Sequence, residues 1–418
     1  MSAQAGYEDT RAFSATNARN AFSFNPDNDP YRNRNGAGSA AYTFAPGHTL
    51  TLSALASEGV AHFDSGPGSD DVNRQRLSTY SLESRNRFMP AWTSTLRLAR
   101  GTDDIHTEGS FPGRFRTDQD QVSWQNDLDA PGGRIAAGAE YRRERVDSDT
   151  VYSNSSRSIV SVFGGYSGSV GVHLLQGSLR NDDNSQFGGR TTGNLGYGYR
   201  ITPAWRASVG YGTAFKAPSF NDLYFVSPFF SGNPGLRPER SASSEAALRY
   251  EQGAEQAGLT LYRNRIRDLI AVDSTFTTVI NVAEAEVRGG TLRAAADLAG
   301  YRIKAEVTHE EAKDQASGRM LPRRAKNFGS ASIAGSSGAV RFGAELIASG
   351  QRYDSVSNAA SSRLAGYALL NLRAGYALSP QWSVNVRWNN VLDKEYELVR
   401  GYNTAGSNVF VSVDYGSQ

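Results

Sequence analysis

Two-residue alternation of apolar and polar side chains is the feature that most constrains this chain. Residues 205–215 carry Trp205, Ala207, Val209, Tyr211 and Phe215 on odd positions, against Arg206, Ser208, Gly210 and Gly212 on even ones. Successive side chains of a strand point to opposite faces, so such a segment is a strand with one apolar and one polar face. The pattern returns at 382–389, where Trp382, Val384, Val386 and Trp388 oppose Ser383, Asn385, Arg387 and Asn389. It returns at 409–415 with Val409, Val411, Val413 and Tyr415. Helical periodicity is absent at comparable strength. Residues 241–257 could pass as helix by propensity, but propensity is a weak prior, and they are read as strand.

Punctuation gives the topology. Pro-centred turns recur at Pro46, Pro90, Pro131, Pro203 and Pro380. Proline presets φ for a tight turn and cannot sit inside a central strand, so each turn closes a hairpin. Trp92, Trp205 and Trp382 each follow such a turn by two residues. An aromatic ring at one end of a sheet is the interfacial girdle of a membrane barrel. Polar connections rich in Asp, Asn, Ser and Gly are expected at 15–35, 64–75, 102–114, 146–157, 181–189, 217–241, 353–363 and 398–407. Short turns at one end and long loops at the other fit a transmembrane antiparallel β-barrel. The alternating segments number about 20, inside the range of 8 to 26 or more that such barrels show. A barrel this wide cannot fill its lumen with its own side chains. A soluble propeller needs a fixed repeat, and the proline turns are too unevenly spaced for one.

Composition agrees. Only 39% of the 418 residues are hydrophobic while 11% are aromatic, as expected of strands apolar on one face. Zero cysteines exclude disulfides, thiol nucleophiles and zinc–thiolate sites. A net charge of +2 offers no electrostatic case for nucleic acid. No apolar run approaches the ~20 residues of a membrane-spanning helix. Residues 1–6 lack the basic and apolar regions of a signal peptide. The five histidines have no partner motif, and no catalytic arrangement stands out, so no enzyme activity is expected.

Four blocks carry a family resemblance. They are Tyr211-Gly212-Thr213-Ala214-Phe215-Lys216-Ala217-Pro218-Ser219 with Gly232-Asn233-Pro234-Gly235-Leu236-Arg237-Pro238-Glu239, then Arg180 to Gly188, Leu321 to Lys326, and Asn389 to Glu397 with Gly401-Tyr402. Through them the chain resembles the barrel of TonB-dependent outer-membrane receptors, most closely the cobalamin-receptor branch. The resemblance implies a Gram-negative outer-membrane location among outer-membrane lipid, a monomer, and a corrinoid (vitamin B12-like) ligand. A siderophore or other metal chelate is the alternative ligand, and a barrel-based enzyme or adhesin the alternative of another class. Family barrels have 22 strands, so about 20 are expected here, with the N-terminal plug and about two strands missing from residues 1–418. TonB-driven transport is then expected of the intact parent and not of this chain alone.

The resemblance also gives meaning to Asn25-Pro26-Asp27-Asn28-Asp29 in the first long loop. Alternating carboxylates offer the hard oxygens calcium needs, although Asx-rich loops are usually simple turns. The family implies calcium ligands at Asp27 and Asp29, joined by Asp64 and Asp71 of the next loop, with Asp70 competing for the last place. A further family ligand falls on Ser14 and is lost. Asp182, Asp183 and Asn184 read as a solvated hairpin end. Arg323 and Arg324 read as lumen-facing or turn residues. The aromatic residues Phe220, Tyr224, Phe225, Phe229 and Phe230 form an apolar loop patch, expected either to contact substrate or to pack on itself.

Overall fold

The computed structural model describes residues 1–10, 13–273 and 275–416. Twenty strands join one antiparallel sheet, and a two-residue pair, Arg352–Tyr353 with Arg363–Leu364, lies apart from it. The single α-helix among the described residues is one turn long, Phe220–Tyr224. No helix among the described residues is long and apolar enough to cross a membrane, which leaves strand-crossing open.

The chain divides into two compact units. The first holds residues 1–197, 210–242 and 266–283, and the second holds 198–209, 243–265 and 284–418. In the first, consecutive strands pair as hairpins from Ser2–Thr10 through His173–Asn184. In the second, residues 285–298 of the strand Val279–Leu298 pair with Tyr301–Asp314, and hairpins continue to Asn408–Tyr415. Residues 241–257 are indeed strand, split by a turn into Glu239–Gln252 and Glu255–Val272. Tight turns need left-handed backbone, which Gly47 (φ 83°) and Gly132 (φ 73°) supply beside Pro46 and Pro131.

Register sorts the side chains into two faces. In the first unit Leu52 lies opposite Leu82, Leu82 opposite Leu98, Leu98 opposite Val122 and Val122 opposite Tyr141. All of these are exposed, while the buried hydrophobic residues are few. That inverts a water-soluble protein and fits an apolar solvent around one face. At the proline-turn end Phe44, His48, Phe88 and Trp92 form a chain of ring contacts with centroids 5.1 to 5.9 Å apart. In the second unit Trp205 packs on Tyr250 at 5.1 Å and Trp382 on Tyr415 at 4.8 Å. The opposite sheet face of that unit is polar, and Thr260, Arg293, Lys304, Glu306, Ser330 and Ser332 help line a cavity of about 990 Å³.

Several expected loops are shorter than the sequence suggests. Trp92–Glu108 and Gly113–Ala130 leave four residues for the connection expected at 102–114, and His173–Asn184 runs almost to Gly188. The strand expected near 319 starts at Asn327. Strand ends that leave the apolar belt are polar on both faces, so alternation fades although the ladder continues.

Candidate functional site

The first loop folds back on itself between the strands Ser2–Thr10 and Tyr31–Ala45. The Asp29 amide donates to the Phe13 carbonyl at 3.0 Å, and the Ala15 amide donates to Asp29 Oδ2 at 2.6 Å. Ser14 Oγ donates to the Asn25 carbonyl at 2.8 Å. Asn25 then clamps the second loop: its Nδ2 donates to the Ser69 carbonyl at 2.9 Å, and its Oδ1 accepts from the Gly68 amide at 3.1 Å. Thr16, almost fully buried, donates from Oγ1 to Asp64 Oδ2.

These contacts bring Asp27, Asp29 and Asp64 together, each offering one carboxylate oxygen within 4.8 Å of the others. Oδ1 of Asp27 and Oδ1 of Asp64 are buried without a hydrogen-bond donor. Burial pushes the Asp29 carboxyl above its ordinary value, opposed by the Ala15 amide and reinforced by Asp27. Burial likewise raises Asp64, with Asp29 and Asp27 adding to the shift. Undonated carboxylate oxygens that repel one another, in a buried setting, suit a hard divalent cation.

Asp71 is not part of this cluster, contrary to the expectation from the family. Its Oδ1 accepts from the Ser110 amide at 2.8 Å and from Ser110 Oγ at 3.0 Å, and its Oδ2 accepts from Ser65 Oγ. Asp71 thereby ties the second connection to the third. Asp70 is engaged by His62, with Nδ1 and Oδ1 2.6 Å apart. Thr16 and Asn25 build the site although sequence reasoning gave neither a role. Asn25 stood at the head of the acidic motif, and its Asx chemistry was the available signal.

The aromatic patch separates by burial. Ser219 caps the one-turn helix through a reciprocal capping box with Asp222, the Asp222 amide donating to Ser219 Oγ at 3.1 Å and the Ser219 amide to Asp222 Oδ2 at 2.8 Å. Phe220 is 5% exposed, lies under the Arg157 guanidinium at 4.8 Å and cannot meet a ligand. Leu223 (1% exposed) packs with Leu236 and Val279, and Tyr224 and Phe230 rest against that core. Tyr224 Oη accepts from Gln186 Nε2 at 2.5 Å, and Phe225 faces Phe230 at 6.3 Å. Phe229 differs, being 64% exposed and edge-on to Phe22 of the first loop, 66% exposed, at 6.2 Å. The expected patch is therefore mostly a loop core, with the Phe22–Phe229 pair as its open surface.

The other singled-out residues are structural. Asp182 is buried in a strand, accepting from Ser161 Oγ at 2.5 Å and Arg180 Nε at 2.7 Å, so the expectation of a solvated hairpin end does not hold there. Arg323 sits in a connection with φ 59° and donates to Asp354 Oδ1 at 2.7 Å, while Arg324 pairs with Glu310 at 3.7 Å.

A family model described as TonB dependent receptor-like, beta-barrel, matches residues 3–391. The vitamin B12 transporter BtuB of Photobacterium profundum is 26% identical over 406 residues, covering 94% of this chain and 66% of the relative. The vitamin B12 transporter BtuB of Vibrio vulnificus is 31% identical over 366 residues, covering 82% of this chain and 58% of the relative. The chain thus spans less than two thirds of either curated relative. Among solved structures, a mutant of the ferric enterobactin receptor PfeA of Pseudomonas aeruginosa superposes with a TM-score of 0.79 at 18% identity, covering 96% of this chain and 72% of that one. The copper transporter OprC gives a TM-score of 0.80 at 14% identity, covering 99% and 75%. At these identities the structural likeness speaks for the fold.

Proposed function

The chain belongs to the TonB-dependent receptor β-barrel family, and on that footing we propose that it forms the wall and outer loops of a receptor for a corrinoid of the vitamin B12 type. Its exposed apolar sheet face meets outer-membrane lipid, and its polar face lines the passage. The observation that carries the substrate reading is the match to two vitamin B12 transporters over 94% and 82% of the chain. The siderophore and copper likenesses rest on fold and favour no ligand.

In this reading Asp27, Asp29 and Asp64 hold a calcium ion. Bound there, calcium supplies the positive charge that cancels their mutual repulsion. Every other part of the device is protein. Asn25 and Thr16 already join the two loops, and Asp71 joins the second loop to the third. The ordered first loop presents Phe22 to Phe229 and so completes an aromatic edge on which part of a large ring ligand can pack. Family transport is TonB-dependent, and residues 1–418 contribute the membrane wall and the ligand-binding loops to it.

The test is equilibrium binding of cyanocobalamin to the detergent-folded chain, with calcium and with EDTA, against ferric enterobactin as competitor chemistry. Calcium-dependent cyanocobalamin binding is the expected result. Preference for ferric enterobactin, with no calcium effect, overturns the corrinoid reading.

A further inference from the structure

We propose that the second unit carries a docking site for phosphorylated lipid headgroups, on its outer face just beyond the apolar belt. The proposal rests on the membrane-barrel reading, and it concerns residues outside both the loop carboxylates and the cavity face.

Three neighbouring strands show the same succession. Along Glu255–Val272 the exposed Leu259 and Leu261 are followed on the same face by Arg263 and Arg265. Along Val279–Leu298 the exposed Leu292 is preceded by Arg288 and Glu286, and along Tyr301–Asp314 the exposed Val307 is followed by Glu311 and Lys313. Register aligns the last two strands: Leu292 faces Val307, Arg288 faces Glu311 and Glu286 faces Lys313. Same-face neighbours are about 7 Å apart along a strand, so the charges begin one or two such steps past the belt. They lie on the side of the long connections, away from the tight Gly253–Ala254 and Ala299–Gly300 turns. A charged row at that height meets headgroups, as apolar side chains meet acyl tails.

Charge and geometry then choose the ligand. Glu286, whose side chain is 7% exposed, accepts from Arg263 Nε at 3.0 Å, Arg263 Nη2 at 2.7 Å and Arg265 Nε at 3.2 Å. Glu311 accepts from Arg288 Nη2 at 2.9 Å and Lys313 Nζ at 3.2 Å, with Lys326 Nζ at 3.8 Å. Two carboxylates therefore anchor five cations, and these seven side chains sum to a charge of +3. Arg263, Arg265 and Arg288 are each half exposed or more, and a guanidinium has five N–H donors, so most remain directed outward. Pinning long side chains before binding lowers the ordering entropy that a ligand must overcome. A terminal phosphomonoester, dianionic and tetrahedral, matches such a fork of guanidinium groups. The lipid source follows from position, because the cluster borders the belt that holds the acyl chains.

The experiment uses the whole chain folded in detergent, and heat-modifiable gel migration reports folding. Native mass spectrometry titrates it with phosphatidic acid and with phosphatidylcholine of the same acyl chains. The wild type is expected to retain phosphatidic acid at least tenfold more tightly. The triple variant Arg265→Gln, Arg288→Gln, Lys326→Gln leaves Arg263 on Glu286 and Lys313 on Glu311, and is expected to lose that preference while migrating as folded. The cavity-face variant Lys304→Gln is expected to keep it. Equal binding of the two lipids, a triple variant that keeps the preference, or displacement of the lipid by millimolar inorganic phosphate overturns the headgroup site. A chain that never shows folded migration overturns the barrel reading, and this site falls with it.

Discussion

Replacing Asp64 by Asn should move the metal-free loops and the calcium complex in opposite directions. Asp27, Asp29 and Asp64 offer oxygens within 4.8 Å of one another. At an effective dielectric constant near 20, each pair of ionised carboxylates at that distance repels by about 3 kcal/mol. Asp64→Asn removes two of the three pairs. Water reaching the partly buried Asp27 and Asp29 screens part of this, so relief of about 1–2 kcal/mol is expected in the metal-free protein. Asparagine also keeps an acceptor for Thr16 Oγ1. Calcium, by contrast, loses a charged ligand, and its affinity should fall at least tenfold, about 1.4 kcal/mol. pH separates the two effects further. Asp29 and Asp64 have folded values above the ordinary 3.8. The stability they contribute is therefore fully present below 3.8 and is lost as pH rises through the raised values. In EDTA the loops should loosen as pH rises from 3.8 through the raised values, less so in the variant. With calcium the trend should reverse, because acid displaces the cation. Hydrogen exchange over residues 13–30 and 63–71, corrected for intrinsic rates, reads the loops, and titration calorimetry reads calcium. A variant with weaker protection in EDTA at neutral pH, or with unchanged calcium affinity, would refute the reasoning.

Three further outcomes follow from packing. Phe229→Ala should weaken cyanocobalamin binding with little change in thermal stability, whereas Phe220→Ala should destabilise the loop by about 3–5 kcal/mol, seen as faster exchange over 219–225. Gly232→Ala places a Cβ within 2.9 Å of backbone atoms of Asn221, Leu223 and Tyr224, so the connection must shift, at about 1–3 kcal/mol, with exchange again as the measure. Leu292→Arg on the outer face should cost about 2–4 kcal/mol of folding free energy in bilayers if it lies near the midplane, while Ser332→Arg on the cavity face should cost far less, measured by urea titration in vesicles.

Much of the fold was legible in the sequence because its signal is local. Alternation at Trp205–Phe215 and Trp382–Asn389 needs no partner to be read, and each proline turn names its own hairpin. The exposed belt of Leu52, Leu82, Leu98 and Val122 follows from the same two-residue period. Strand ends escape the pattern where both faces are polar, as at 102–114, since hydrogen-bonded ladders leave no mark on hydropathy. The acidic motif was legible as chemistry and not as a site. Asp64 and Asp71 both fall in the polar stretch expected at 64–75 and offer the same carboxylate, although the structure places Asp71 at the start of the strand Asp71–Met89. Folding gives Asp64 to the cluster through Thr16 and gives Asp71 to Ser65 and Ser110.

By itself the sequence determined the strand class, the order of hairpins and which side of each strand is apolar, because each depends on neighbours along the chain. Tertiary structure decided which distant residues meet. It buried Phe220, exposed Phe229 beside Phe22, and set Arg288 opposite Glu311. The reason is register: a shift of one residue would turn every side chain of a strand to the other face, and only the paired neighbour and the packed loop fix that choice.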